Sequence, residues 1–230
     1  MATQYRTRRV IGVIFILVVS AIGLLSNPQL YEPVAPRSSQ ASRTDSPALD
    51  ELASLPVKGR APKTGYSRDQ FGSGWTTTQG CDTRNIILHR DLTDVVMGEG
   101  CKVVSGTLND PYTGKIIQFQ RGPTTSQLIQ IDHVVALSNA WQTGAQQLTP
   151  LRREELANDP LNLLAVDGAA NQQKSDSDAA TWLPANKLFR CQYVARQISV
   201  KKRYSLWVTN SEKGAINHVL VGCPRQNIPT

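Results

Sequence analysis

The run IDHVVALSNAW at 131–141 sets a carboxylic acid beside an imidazole inside a stretch otherwise apolar enough to be buried. A carboxylate taken out of water needs a counter-charge, a set of hydrogen bonds or a metal ion. Asp132 and His133 therefore need a reason to be there. A strand sends neighbouring side chains to opposite faces, so the two can serve one site only where the strand ends or turns. Ser138 and Asn139 mark a loop soon afterwards. The chain has to fold so that a strand terminus reaches a polar site.

Downstream, NDPLNLLAVDGAANQQKSDSD supplies Asn162 and, nine residues later, Asn171. A helix starting near Gly168 places Asn171, Lys174 and Asp178 at i, i+3 and i+7, on one face. A strand end then offers an acid and an imidazole, and a helix offers an amide oxygen opposite. The other histidines, His89 and His218, read as surface or packing residues. Three histidines without convergent spacing, and no CxxC pair, argue against a zinc centre.

The flanking pattern is α+β. Residues 83–96 read as a helix, 101–110 and 112–122 as two strands joined by a turn at Asp110-Pro111, and 126–137 as a third strand. Residues 148–159 read as a short helix with Thr149 as cap and Pro150 at its first position, and 186–207 as a longer one. Trp141, Trp182 and Trp207 are expected as core anchors.

Forty per cent hydrophobic residues in 230 supply a real core, which excludes a chain disordered throughout. The charge is basic, 25 Lys plus Arg against 18 Asp plus Glu, and suits a polyanionic partner. Arg6, Arg8 and Arg9 precede an apolar stretch from Val10 to Leu25, the pattern of an export signal. Residues 1–26 are read as that signal, cleaved or kept as an anchor; contact with a membrane is expected only through it. Residues 27–50, rich in Pro, Ser and Ala, read as a flexible tether, and 51–230 as the folded domain.

Four cysteines agree with export into an oxidising compartment. They allow three pairings. Local pairing, Cys81 with Cys101 and Cys191 with Cys223, closes loops of modest size and is the expectation.

Five stretches in order, YSRDQFG (66–72), CDTRNIILHRDL (81–92), DPYTGK (110–115), IDHVVALSNAWQTGA (131–145) and NDPLNLLAVDGAANQQKSDSDAATWLP (158–184), carry a resemblance. The chain resembles the HNH (ββα-metal) endonucleases, most nearly the secreted bacterial ones related to the C-terminal nuclease domain of GmrSD-type restriction enzymes. The resemblance implies a ββα-metal core. It implies His133 as general base, Asp132 and Asn171 as metal ligands, and Asn162 as the residue that holds the motif's backbone. Asn171 stands where the family often has histidine, which leaves an oxygen donor set. Such a set favours Mg²⁺, with Mn²⁺ or Ca²⁺ as alternatives, over Zn²⁺ or Ni²⁺. By the same analogy the product carries a 5′ phosphate.

Arg84 is the candidate cation for the scissile phosphate; its structural alternative is an ion pair with Asp82 or Asp91. Lys174 faces a like choice, phosphate contact or a pair with Asp178. Lys187, Arg190, Lys201 and Lys202 are candidate backbone contacts, against the plainer reading of a solvated helix. The expected activity is hydrolysis of phosphodiester bonds in DNA, with RNA left open, with little sequence specificity. No protein partner is expected. The alternatives are an exported module that binds nucleic acid or an anionic polymer on the same scaffold without turnover, and a hydrolase of another phosphodiester.

Overall fold

The computed structural model describes residues 46–230; the expected export segment and residues 27–45 of the expected tether lie outside them. The sequence from Pro47 onward alternates short apolar runs of period two with amphipathic stretches, and the fold is α+β.

A first helix, α1 (Pro47–Ser54), begins inside the stretch read as tether, with Ala48 and Leu52 buried. Two very short strands, β1 (Thr77–Thr78) and β2 (Cys81–Asp82), pair antiparallel and lead into α2 (Thr83–Asp91). Asp82 caps that helix by accepting from the Asn85 amide at 2.7 Å. The helix does not continue to residue 96 as expected. It stops at Asp91, and Leu92–Met97 form strand β3. The run Leu-Thr-Asp-Val-Val-Met holds β-branched residues that pair readily, and a three-stranded antiparallel meander is completed by β4 (Val103–Asn109) and β5 (Ile116–Gln120). The Asp110 turn forms as expected, with its Oδ2 accepting from the Thr113 amide at 2.7 Å.

The third expected strand is β6 (Ile129–His133), which does not join that sheet. It pairs antiparallel with β7 (Leu163–Asp167), a strand the periodicity did not announce, with Ile129 opposite Asp167 and His133 opposite Leu163. The connection between them carries α3 (Leu137–Gln142) and α4 (Pro150–Asn158). Thr149 caps α4 as expected, accepting from the Arg152 amide at 3.2 Å. Strand β7 runs directly into α5 (Gly168–Lys174), where the Asp167 side chain accepts from the Ala170 amide at 2.7 Å. A side chain at Gly168 would place its Cβ 2.3 Å from the Gln127 carbonyl oxygen, so only glycine fits this junction. The ββα unit is β6, β7 and α5.

This unit lies between two cores. Ile129, Ile131, Leu163 and Ala165 face one, shared with α2 and the meander. Leu164 and Val166 face the other, shared with α1 and two long helices, α6 (Arg190–Arg203) and α7 (Asn210–Val221). A strand buried on both faces reads as a continuous apolar run, which is why LLAV lacks alternation. A third cluster gathers Phe71, Trp141 and Leu156 under α3 and α4. Trp141 and Trp207 are buried as expected.

Both expected disulfides are present, Cys81–Cys101 and Cys191–Cys223, with Cα separations of 5.3 and 6.0 Å. Among the described residues no helix is long and apolar enough to cross a membrane.

Helix α6 corrects the expectation for the basic run. It is not solvated all round but packs one face as the centre of the larger core, with Tyr193, Val194, Ala195, Ile198 and Val200 buried and Lys202 and Arg203 exposed. Lys201 is fully buried and pairs with Glu212 at 3.0 Å. It cannot touch a phosphate. Breaking such a pair leaves a charge without water or partner, at a cost of about 3–5 kcal/mol. Lys201→Met is therefore expected to lower the unfolding free energy by about that much in urea titration, while the folded fraction keeps its affinity for nucleic acid.

Candidate active site

Strand β6 ends at His133, and the chain bends before α3 begins at Leu137. The strand end lets two side chains of opposite parity open onto one cleft of about 740 Å³, lined by Asp132 and His133 together with Arg84, Gln130 and Asn171. Arg68, Trp75 and the pair Lys63–Asp176 complete its rim.

His133 is 6 % exposed, and its Nε2 lies 2.9 Å from the Ala157 carbonyl oxygen. A carbonyl only accepts, so Nε2 carries the proton and Nδ1 holds the lone pair. Burial pushes the imidazole down to about 3, with Arg68 and Lys174 adding to it against the hydrogen bond to Ala157. The ring is therefore neutral near pH 7. Trp75 lies nearly parallel to it, with ring centroids 5.8 Å apart and an interplanar angle of 13°. The segment bearing Trp75 is tied to α4, since the Thr76 amide donates to Asn158 Oδ1 at 2.9 Å. One helix thus orients both rings.

Asp132 points to the other face, into the larger core. Tyr112 donates its hydroxyl to Oδ2, and Lys174 donates Nζ to Oδ1 at 3.0 Å and to the His133 carbonyl at 2.9 Å. Burial raises the Asp132 carboxyl, while Lys174 and Tyr112 pull against it. Burial, with Asp132 beside it, raises the Tyr112 hydroxyl well above its ordinary value, so Tyr112 stays a donor. Lys174 is fully buried, which corrects its reading as a phosphate contact. Its partner is Asp132, not Asp178, because α5 ends at Lys174 and Asp178 pairs with Arg60 at 2.7 Å.

Asn162 is fully buried. Its Oδ1 accepts from the Val135 amide at 2.8 Å, its Nδ2 donates to the Val135 and Leu156 carbonyls at 3.3 Å, and its backbone carbonyl accepts from Val134 at 2.8 Å. It fastens the bend that follows His133. Asn171 donates Nδ2 to Gln130 Oε1 at 2.8 Å, which turns its own Oδ1 free. Gln130 and Asp132 are two residues apart on one face of β6, so Asn171 and Asp132 stand on the same side of the strand.

Arg84 projects from α2 and pairs with neither Asp82 nor Asp91. Asp82 is occupied by Asn85, and Asp91 by Arg90 at 2.6 Å. One guanidinium nitrogen of Arg84 donates to the Ser126 and Ile129 carbonyls at 3.3 and 3.1 Å. Burial, then the neighbouring Arg121, lowers it from its ordinary value without discharging it. Lys187, Arg190 and Lys202 do not line the cleft: Arg190 donates to the Pro184 carbonyl, and Lys202 pairs with Glu51 at 2.7 Å.

Reading the sequence passed over Tyr112, Arg68, Gln130 and Trp75. Tyr112 and Arg68 lie in DPYTGK and YSRDQFG, which carried the resemblance but were given no role. Gln130 is reached by counting back two from Asp132. Nothing local marks Trp75.

A metal ion fits this donor set only as a hard, oxygen-bound cation. Asp132 keeps lone pairs beyond its two hydrogen bonds, and Asn171 offers a free amide oxygen. Among the described residues no three His, Cys, Asp or Glu side chains cluster to hold a metal. Such a site suits an ion that keeps water and phosphate oxygens in its shell.

Residues 82–219 match the family described as GmrSD restriction endonucleases, C-terminal domain. The chain belongs to that family, whose domain is of nuclease type. It is also 38 % identical over 212 residues to a protein of Arthroderma benhamiae named "Uncharacterized secreted protein", covering 91 % of this chain and 98 % of that one. No solved structure matches the chain.

Asn162→Ala removes three buried side-chain hydrogen bonds and strands the Val135 amide. The expected loss is about 2–3 kcal/mol of unfolding free energy, read from the urea midpoint. Asn162→Asp is expected to lose at least as much, because it sets a buried carboxylate without a counter-charge against the Val135 and Leu156 carbonyls.

Proposed function

We propose that the protein is an exported, metal-dependent endonuclease that hydrolyses phosphodiester bonds of DNA, with RNA as a second candidate substrate. It acts with little sequence specificity. The observation that carries this reading is the neutral His133, fixed by Ala157 in the tautomer whose lone-pair nitrogen is Nδ1. Trp75 on one side and the Asn162-fastened bend on the other hold the ring in place.

In this reading His133 takes a proton from the attacking water at Nδ1, as a general base. Arg84 meets the scissile phosphate, where a guanidinium fork matches two oxygens, and Arg68 guides the backbone from the rim. A divalent cation held by Asp132 and Asn171, Mg²⁺ or else Mn²⁺ or Ca²⁺, would neutralise charge on the phosphate and on the departing oxygen. Tyr112 and Lys174 keep Asp132 aimed, and Gln130 keeps the Asn171 oxygen outward. Arg68 and Arg84 in the cleft suit the phosphate backbone, which carries no sequence information, and this supports backbone recognition. Export is supported by the basic-apolar amino terminus, by two disulfides and by the printed name of the fungal relative.

The test is digestion of single- and double-stranded DNA and RNA with Mg²⁺, followed on gels and by initial rates. EDTA is expected to stop the reaction. His133→Ala is expected to lower the rate by about 10²–10⁴-fold, and Arg84→Ala by about 10²-fold, both with unchanged circular dichroism. A fully active His133→Ala would end the proposal, and salt-sensitive binding without turnover in any metal would favour a binding module.

A further inference from the structure

Five acidic or basic side chains line the cleft: Lys63, Arg68, Arg84, Asp132 and Asp176. Lys63 and Asp176 cancel at 3.0 Å, and Asp132 is cancelled from below by the buried Lys174, also at 3.0 Å. Among the described residues neither Arg68 nor Arg84 has a carboxylate within ion-pairing distance. The cleft on its own is therefore cationic, and the one carboxylate suited to a metal already faces an ammonium group. A divalent cation entering alone meets repulsion from Arg68 and Arg84 and shares Asp132 with Lys174. A phosphodiester entering alone meets attraction, and it brings negative charge together with oxygen ligands.

We infer that metal and nucleic-acid backbone occupy this cleft as a coupled pair: the free protein holds the cation weakly, and the bound phosphate completes its site. The inference rests on the nuclease reading. Lys174 is the positioning residue that makes it so. It serves as the built-in counter-charge of Asp132 when no metal is present, holding the carboxylate and the His133 backbone in working geometry. Hard cations bound through few carboxylates depend on substrate phosphates in this way. Linkage makes the coupling reciprocal: whatever factor DNA adds to metal affinity, the metal adds to DNA affinity.

The experiment is Mn²⁺ titration read by electron paramagnetic resonance, which counts free ion. It uses the full chain with His133→Ala, which blocks turnover, alone and saturated with a short DNA duplex; wild type is titrated alone, and Mn²⁺ held by duplex alone is subtracted. DNA is expected to raise Mn²⁺ affinity at least about tenfold, and fluorescence anisotropy should show Mn²⁺ raising DNA affinity by the same factor. Lys174→Met is expected to raise the Mn²⁺ affinity of the DNA-free protein roughly tenfold, narrowing the coupling. Should that variant not fold, the comparison without it decides the matter. Mn²⁺ bound as tightly without DNA as with it overturns the inference and leaves the nuclease reading standing. No Mn²⁺ bound in either state overturns both. A folded Lys174→Met with unchanged Mn²⁺ affinity overturns the role assigned to Lys174.

Discussion

The buried contact among Lys174, Asp132 and Tyr112 ties three separate pieces of chain to one point: the end of β6, the end of α5 and the turn after β4. Desolvating an ammonium and a carboxylate costs several kcal/mol for each ion, and their attraction roughly repays it. A pair of that kind is poor as a stabiliser. What it supplies is position, because Lys174 also reaches the His133 carbonyl and so fixes the backbone between acid and imidazole. With the pair in place, Asp132 and His133 leave the strand on opposite faces and still open on one cleft. Replaced by apolar side chains, the same elements would pack equally well and define no site.

The local chemistry of this site was legible in the sequence. An acid and an imidazole in an apolar run required a strand end, and β6 ends at His133. The capping Thr149 and the Asp110 turn followed from residue types, and the disulfides are the local pairing expected among the three that four cysteines allow. What was not legible depends on partners distant in the chain. Strand β7 is buried on both faces, so it has no alternation to read. The end of α2 at Asp91 is set by pairing of β3 with β4, a tertiary effect that overrides a fair helical pattern.

The basic run between Lys187 and Arg203 shows why charge is a weak guide to binding. Its cations end in four different environments. Lys201 is buried against Glu212, Arg196 donates to the Pro160 and Leu161 carbonyls, Arg203 pairs with Asp159, and Lys202 pairs with Glu51. Arg190 likewise donates to the Pro184 carbonyl, so five of the six long side chains find an acceptor brought close by the fold, and among the described residues Lys187 alone of the run stays exposed without one. The two arginines that keep their charge for the cleft, Arg68 and Arg84, stand outside that run. Net charge foretold a polyanion-compatible protein, and placement was decided by pairing.

The meander of β3, β4 and β5 first resembles an appendage, since it shares no strand with the ββα unit. Arg84 shows otherwise. Helix α2, which carries it, is held at its start by the Cys81–Cys101 bridge to the turn before β4. Asn85, buried one residue on, accepts from the Val103 amide at 2.9 Å and from Arg121 at 2.6 Å while donating to Asp82. The contacts with Val103 and Arg121 join the helix to the meander, and Ile87 and Leu88 pack into its core from the same helix. In the proposed reaction the Arg84 guanidinium has to be held within about 0.5 Å of its productive position. That accuracy comes from the sheet behind the helix, so the meander is part of the site's scaffold. An oxidising environment, in which the bridge persists, is then a condition for the geometry of the cleft as well as for the stability of the fold.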